Sequence, residues 1–411
     1  MNQRPVQALP SALRIVGPFA LAYFISYFYR SMNAVIAPDL VRAFTLTAAD
    51  LGLITSAYFL AFAAFQLPLG LLLDRFGPRR VDSGLLLIAG TGAVVFGTAQ
   101  SPFALLAGRA LIGLGVCACL MSSIKAVALW FPAQRLAAMN AWIFFCGGMG
   151  ALAATTPVEM LLQQFDWRAI FVGLAAATLV ASALIFFVAP EREGVGEAET
   201  LGMQWRGLLD IFAHAMFWRL AAATVVFQAS HMAVQGLWAG PWLKDVAQLS
   251  RTQIALQLML LGASIVAGFL FWGHAASWLA RRGVALTTVL KAGLSTFLAV
   301  QVPIALGIAE LSWLTWIGFG FFGTAGSLAF SVVSQSYPLT LTGRANTALN
   351  LLVFSCAFAT QWLIGAVVNH WPVAENSYHA DGYRAAFGLL WIAEALSLAW
   401  LYYGTRSSRA V

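Results

Sequence analysis

The sequence predicts an all-α membrane protein with twelve transmembrane helices, arranged as two six-helix bundles related by pseudo-two-fold symmetry. Three observations support this prediction: the composition, the number of long apolar segments and an internal repeat. The 411 residues are 61% hydrophobic and only 9% charged, with a mean hydropathy of +0.81. An ordinary soluble domain is about 25% charged. The composition therefore excludes a water-soluble globule.

The apolar segments are long enough to cross a bilayer. A transmembrane helix needs about 20 apolar residues, because its backbone must satisfy its own hydrogen bonds within lipid. The first segment is too long for the apolar part of a signal peptide and lacks a small-residue cleavage site, so it is predicted to be a true span. The predicted spans are 13–37, 51–73, 81–99, 103–129, 137–161, 167–188, 217–239, 252–274, 284–308, 313–335, 345–368 and 383–403.

The basic residues predict the orientation. Fifteen of the 23 Lys and Arg residues fall on the side of the termini, and five fall on the other side. Because cytoplasmic loops are enriched in Lys and Arg, both termini are predicted to be cytoplasmic in a bacterial-type inner (plasma) membrane. The remaining three, Arg30, Arg109 and Lys125, lie within predicted spans.

A polar stretch divides the chain into two halves. Residues 190–206 carry four Glu residues and several Gly residues, a composition typical of a flexible linker. The predicted organisation is an N-terminal bundle over 1–189, a cytoplasmic linker over 190–212 and a C-terminal bundle over 213–411.

The two halves resemble each other. The order of residues over 131–171, after the fourth span, recurs over 337–387, after the tenth. The matching positions are Phe131, Pro132, Arg135 and Asn140 in the first copy and Tyr337, Pro338, Arg344 and Asn350 in the second. Parallel repeats of six spans are a transporter architecture, with a substrate site near the midplane between the halves.

The loop between the second and third spans carries a motif. It reads GLLLDRFGPRR over residues 70–80. Gly70 permits close helix approach, Asp74 can cap or pair near a helix end, and Gly77 turns the chain. With Arg75 and Arg79, this loop resembles the signature loop of the major facilitator superfamily. The resemblance implies that the loop latches the two halves on the cytoplasmic side when the outside is open.

The resemblance covers essentially the whole chain. Arg109, followed by Gly113 and Gly115, is similar to the arginine motif of the family, in which the guanidinium braces neighbouring helices. The second copy of the signature loop, around 273–283, lacks an aspartate. The fifth span lacks the Gly-Pro pair that marks the drug/proton antiporters of the family, which makes export by that route less favoured.

Arg30 is the leading candidate for substrate binding. All acidic residues except Glu394 are placed at span ends or in the linker, so the predicted core is biased towards positive charge. A buried cation needs a partner or a wet cavity, and the planar guanidinium fork suits a carboxylate. The segment 27–33 resembles the first span of the organic-anion (anion:cation symporter-like) branch, where an Arg grips a carboxylate. The alternative is an Arg that braces backbone carbonyls of a neighbouring helix.

Other polar residues within spans complete the candidate site. Lys125 is either a second anion contact or a side chain that extends to the cytoplasm. His231 can contact an anion, titrate during transport or simply bond a carbonyl, and Asn350 can contact substrate or cap a helix. His231 and Glu394 are the candidates for proton coupling. The predicted substrate-binding set is Arg30, Tyr27, Lys125, Tyr58, Gln228, His231, Gln235, Ser331, Asn350 and Gln361.

These features predict a secondary active transporter that takes up a small organic anion with protons by alternating access. The alternative is an exporter of amphipathic or drug-like compounds by proton antiport. The spans contain no GxSxG, HExxH, paired carboxylates or Cys/His metal spacing, so no enzyme activity, cofactor or metal is predicted. The expected partners are an anionic small molecule, protons and membrane lipids. No nucleic acid is expected, and the predicted state is a monomer.

Overall fold

The computed structural model describes residues 12–191, 201–337, 339–372 and 377–406. Almost all of these residues are helical. The helices are α1 Ala12–Phe44, α2 Ala48–Ala64, α3 Gln66–Gly97, α4 Pro102–Val116, α5 Cys119–Trp130, α6 Ala133–Ala153, α7 Thr156–Leu162, α8 Trp167–Val188, α9 Leu201–Ala213, α10 Ala215–Ala233, α11 Ala239–Asp245, α12 Arg251–Arg281, α13 Leu286–Val300, α14 Val302–Leu306, α15 Ser312–Gly323, α16 Leu328–Ser336, α17 Leu339–Val368 and α18 Ala380–Arg406.

The helices confirm a multi-pass membrane protein. Ten helical stretches in the described part of the chain are long and apolar enough to cross a bilayer. The 33-residue α1 and the 17-residue α2 are not among these ten. The chain bends at Phe65, so the second predicted span is divided between α2 and the start of α3. The number of twelve spans stays a prediction.

Short polar sequences set where several helices begin. Thr47 and Ser250 each form a capping box, with Asp50 and Gln253 respectively, and thereby satisfy amide groups that have no partner within the helix. Ser101 caps α4 with its side chain alone, which accepts a hydrogen bond from the Ala104 amide. These caps all lie in loops on one side of the helix bundle, which we call the distal face.

The opposite side, which we call the linker face, carries the motif turn and the end of α8. Gly77 has φ 75°, a conformation that favours glycine, and this residue reverses the chain within α3. Arg79 and Arg80 form ion pairs with Glu191, at 3.3 and 2.5 Å. The predicted turn and the start of the predicted linker are therefore in contact.

Three predicted spans contain an irregular turn: the fourth and tenth near their middles, and the seventh near its end. The fourth is interrupted at Cys117 and Ala118, between α4 and α5. The tenth passes through a 3₁₀ turn, Thr324–Ser327, between α15 and α16. The seventh contains a π-helical turn, Val234–Trp238, before α11. Such turns often occur at functional positions in helices.

Part of the stretch that was predicted to be flexible is helical. Residues 201–206 of the predicted flexible stretch 190–206 belong to helix α9, whose Leu208 and Ile211 are buried. The boundaries of the linker stay a prediction. The apolar residues of α9 recur on one helix face, and this periodicity stabilises a helix that packs on α17 and α10. Residues 1–11, 192–200 and 407–411 of the predicted domains lie outside the described residues.

The two halves, α1–α8 and α10–α18, meet closely at the distal face. A Cβ added to Gly240 would lie 2.1 Å from the carbonyl oxygen of Ala34, and one added to Gly365 would lie 2.3 Å from that of Ala48. Glycine allows helix backbones to approach this closely within a membrane. The distal side of the interface is therefore closed in this structure.

Candidate substrate site between the two halves

Arg30 lies in a cage of aromatic rings. Its side chain is buried, and its guanidinium carbon lies 4.7 Å from the ring centre of Tyr27, 6.0 Å from Tyr58, 5.9 Å from Phe62 and 5.5 Å from Phe354. Each ring face attracts a cation, with a contribution of about 0.5–2 kcal/mol. We call these five residues the Arg30 cage.

The cage spans both halves of the protein. Tyr58 and Phe62 are one turn apart on α2 and so share a helix face. Phe62 stacks on Phe354 of α17 with ring centres 4.1 Å apart and planes 10° apart. An N-terminal and a C-terminal helix thus close over Arg30, as expected for a site at the interface of two repeats.

Polar atoms around the cage are unsatisfied. Within the described part of the chain, Arg30 Nε, the Tyr58 hydroxyl and the side-chain amide of Gln361 are buried without a hydrogen-bond partner. Gln361 lies two turns from Phe354 on the same face of α17. Buried polar groups normally have partners, so Arg30 Nε and the Tyr58 hydroxyl are available to a bound ligand.

A polar contact joins the halves one turn from the Phe62–Phe354 stack. Asn350 Nδ2 donates to Gln66 Oε1 at 3.3 Å. Asn350 was predicted as a substrate contact, whereas Gln66, Phe62 and Phe354 were not singled out. Gln66 follows Tyr58 by two turns, and this polar periodicity in an apolar segment was a usable signal.

Arg109 braces the N-terminal half beside the cage. Its Nη1 donates to the carbonyl oxygen of Tyr29 at 3.0 Å, and its guanidinium lies 5.1 Å from the Tyr58 ring. A Cβ at Gly113 would lie 2.2 Å from the Tyr58 carbonyl oxygen. Arg109 and Gly113 thus hold α1, α2 and α4 together, in the manner that the arginine motif implies.

Lys125 has a different environment from the one predicted for a substrate ligand. Its ammonium donates to Asp74 Oδ1 at 2.5 Å and to the carbonyl oxygen of Leu73 at 2.7 Å. The structure therefore places Lys125 at the end of the signature loop and does not bring it into the Arg30 cage. Asp74 and Lys125 are 51 positions apart, so no local sequence pattern predicts this pair.

Gln228 and His231 of the seventh predicted span lie against other parts of the C-terminal half. His231 is buried in the C-terminal half, where its ring stacks on Phe319 with centres 5.3 Å apart. Gly323 packs against the same ring. Gln228 packs against Gly326 in the 3₁₀ turn. These two residues face α15 and the turn after it.

Two further candidates lie elsewhere. Gln235 lines a small cleft between the halves, together with Ser31 of α1 and Thr155. Ser331 is exposed on α16. Neither contacts the Arg30 cage through a hydrogen bond that the described residues show.

Buried acids include one that the sequence analysis placed wrongly. Glu394 is fully buried, as predicted, and accepts a hydrogen bond from Gln301. Asp82 was placed at a span end, but it is 0% exposed, and no nitrogen or hydroxyl donor among the described residues reaches either of its carboxylate oxygens. The Gly77 turn lies five residues earlier, so Asp82 enters the bundle just below the linker face.

An ion cluster joins the halves at the distal face. Arg251 of α12 donates through Nε to Glu159 at 2.7 Å, and through Nη1 and Nη2 to Asp39 at 2.9 and 2.5 Å. We call these three residues the distal latch.

In the adjacent loop, Tyr378 donates to the carbonyl oxygen of Leu46, and burial raises the pKa of its hydroxyl, which keeps it a neutral donor.

Apolar helices in two contacting halves, with a buried cationic site between them, define a multi-pass membrane transporter. The chain belongs to the Major Facilitator Superfamily, whose sequence model matches residues 19–361. This confirms the family resemblance and the fold class. The family and the curated relatives are transporters, so the chain is a transporter and not an enzyme.

Individual relatives support the same assignment. The chain is 25% identical to the probable sulfoacetate transporter SauU of Cupriavidus necator, over 95% of this chain and 94% of the relative. It is 24% identical to the probable galactarate/D-glucarate transporter GudP of Bacillus subtilis, over 86% and 85%. A bacterial homologue of the human lysosomal transporter Spinster, solved in an inward-facing and unoccupied conformation, shares the fold with a TM-score of 0.78 at 15% identity, over 97% and 98% of the two chains.

Proposed function

We propose that this transporter carries a small organic anion into the cell together with protons, by alternating access across the inner membrane with both termini in the cytoplasm. The observation that carries the proposal is the partner set of Arg30. Among the residues that the structure describes, no ion pair joins Arg30 to a carboxylate. A cation within a membrane costs about 2.5–3.5 kcal/mol, so an anionic substrate is its natural partner.

Different side chains would bind different groups of the solute. Arg30 would hold a carboxylate or sulfonate through paired guanidinium donors, and the free Nε is available for one of them. The Tyr58 hydroxyl and the Gln361 amide would bind further oxygens of the solute. Phe62 and Phe354 would separate as the halves move apart, which would open the site to one face.

The curated relatives point in the same direction. Two full-length relatives carry names that denote acidic solutes, namely sulfoacetate and galactarate or D-glucarate. A third is the hexuronate transporter of Bacillus subtilis, which is 27% identical over 44% of this chain. Small organic acids are therefore the first solutes to test.

The test is a ligand screen by thermal stabilisation of purified protein, using sulfoacetate, D-glucarate and a hexuronate beside cationic and neutral compounds. Specific binding at 100 times Kd stabilises the folded state by about 2.7 kcal/mol. For Arg30→Ala we expect the Kd of the anion to rise about 100-fold or more, because each hydrogen bond to a charged group contributes about 1.5–3 kcal/mol. Arg30→Lys keeps the positive charge but loses the paired guanidinium donors. The Kd of this variant for the anion should lie between those of the wild type and Arg30→Ala.

The matched control is Arg168→Ala. Arg168 also stacks on an aromatic ring, that of Trp167 at 4.3 Å, but it lies at the start of α8 on the distal face. This variant should bind anions like the wild type. Unchanged anion binding by Arg30→Ala, or stabilisation by cationic or neutral lipophiles alone, would contradict the anion proposal.

A further inference from the structure

Asp82 is a buried acid without a role in the proposed substrate site. It lies on α3, one turn beyond Pro78, and it is completely excluded from solvent. Among the described residues no nitrogen or hydroxyl donor reaches either carboxylate oxygen, and the only side chain that hydrogen-bonds to Asp82 is the weakly donating thiol of Cys119. An isolated ionised carboxylate is very costly in an apolar environment, and such a group takes up a proton instead.

Among the described residues, the cations on the preceding turn of α3 and on α4 and α5 are already engaged by other groups. Arg79 and Arg80, on the preceding turn, are paired with Glu191. Lys125 of α5 is paired with Asp74. On α4, Arg109 is bonded to a backbone carbonyl of α1.

The other neighbours of Asp82 are weak or neutral groups. The titratable groups that interact with it are the thiols of Cys117 and Cys119, at the break between α4 and α5. From α8, Ser182 donates to the backbone carbonyl of Ser83, the next residue along α3, and not to the Asp82 carboxylate. The environment of Asp82 therefore favours the neutral acid.

A small cleft opens on the linker face beside the first turn of α3 after Gly77. Its walls include Gly77, Pro78, Ala126 and Glu191, and it has room for about one water molecule. Pro78 and Asp82 are four residues apart and share one face of α3. Ala126 and Cys119 are seven residues apart and share one face of α5. Pro78 in the cleft wall is therefore one helical turn from Asp82 along α3.

We propose that Asp82 is a proton-binding site of the transport cycle, loaded and unloaded through this cleft. The carboxylate takes a proton from water in the cleft to become the neutral acid, and returns it to water when the break between α4 and α5 moves. The site is separate from the Arg30 cage, so the proton and the solute bind to different elements of the N-terminal half. This inference rests on the proposed proton coupling.

The first experiment detects the proton directly and needs no solute. Infrared spectra of the purified wild-type protein at neutral pH should contain the C=O stretching band of a protonated carboxyl. Incorporation of ¹³C-carboxyl aspartate should shift this band without any substitution, and Asp82→Asn should remove the shifted band. Glu394→Gln is the matched control, since it removes another fully buried acid of the described residues and should leave the aspartate band in place. A spectrum without an aspartate band in the wild type, or with the band retained in Asp82→Asn, would overturn the inference.

The second experiment tests coupling in proteoliposomes, with sulfoacetate as the probe. Asp82→Asn should lose accumulation driven by a pH gradient but keep exchange of labelled for unlabelled sulfoacetate, because exchange requires no net proton movement. Gradient-driven accumulation at the wild-type level in Asp82→Asn would refute the role in coupling. If the wild type itself does not move sulfoacetate, the proposed solute is wrong, while the infrared result still decides whether Asp82 holds a proton.

Discussion

The distal latch should set the balance between the conformation closed at the distal face and the one open there. Arg251 is the only member of the latch that belongs to the C-terminal half, so Arg251→Ala removes all three of its hydrogen bonds at once. The bonds cross the interface and must break when the distal side opens. We therefore expect this substitution to favour opening.

The structure sets the size of the effect. The side chain of Arg251 is 38% exposed, whereas those of Asp39 and Glu159 are 17% and 5% exposed. An exposed ion pair contributes about 0.2–1 kcal/mol, and breaking a buried one costs about 3–5 kcal/mol. The latch joins a half-exposed cation to two largely buried carboxylates, so its contribution to the closed conformation should lie between these limits, at about 1–3 kcal/mol. Its loss should change the equilibrium between the closed and open conformations about 5- to 150-fold.

The assay measures distances between spin labels across the distal face. Cys residues at Gln164 and Glu310 would carry the labels, because both positions are exposed in distal loops, one in each half. The half-buried Cys146 and Cys356 would be replaced by Ser. Arg251→Ala should increase the population with long distances, and Arg251→Lys should do so less.

Arg168→Ala again provides the control. Arg168 forms an ion pair with Asp166 at 3.7 Å on the same face, but both residues belong to the N-terminal half, so this pair does not resist opening. Its distance distribution should match that of the wild type. If Arg251→Ala also matches the wild type, the latch does not hold the distal side closed and the reasoning fails.

Three other substitutions have defined outcomes. Gly240→Val places side-chain atoms against the carbonyl of Ala34, at a cost of about 1–3 kcal/mol or more, so the same labels should report an open distal face even with Arg251 intact. Lys125→Met leaves the half-exposed Asp74 unpaired and should lower the free energy of unfolding by about 1 kcal/mol. The melting temperature should fall while the anion affinity stays unchanged. A weaker anion affinity would instead support Lys125 as a substrate ligand. Arg109→Lys should destabilise the protein by about 1–3 kcal/mol in the same thermal assay, and an unchanged melting temperature would exclude a bracing role.

Much of the candidate site was visible in the sequence. Arg30 was selected because a cation within an apolar segment is conspicuous, and Tyr27 because it lies one turn away on the same helix. Both features are local, since they depend only on hydropathy and helical periodicity. The aromatic rings of Phe62 and Phe354 carry no such signal, because Phe is common in the spans and usually faces lipid or core.

Most differences between the predicted and the observed surroundings of a residue involve contacts between residues that are far apart in the chain. Lys125 was predicted either to contact the substrate or to extend to the cytoplasm, and Asp74 was assigned to its loop. The two residues form one ion pair although they are 51 positions apart. Asp82 was placed at a span end because of its closeness to the Gly77 turn. Its burial depends on the neighbouring helices α4, α5 and α8, which the position in the sequence does not reveal.

The sequence by itself determined three properties of this chain. The chain enters a bilayer, it turns at Gly77, and one cation within its spans, Arg30, is a candidate for binding an anion. Each of these properties follows from composition or from neighbours within a few residues. Only the tertiary structure decided that Arg251 bonds Asp39, 212 positions away, and that rings from α2 and α17 close over Arg30. Contacts between helices depend on the rotation and depth of each helix in the bundle, and packing of the whole chain sets both.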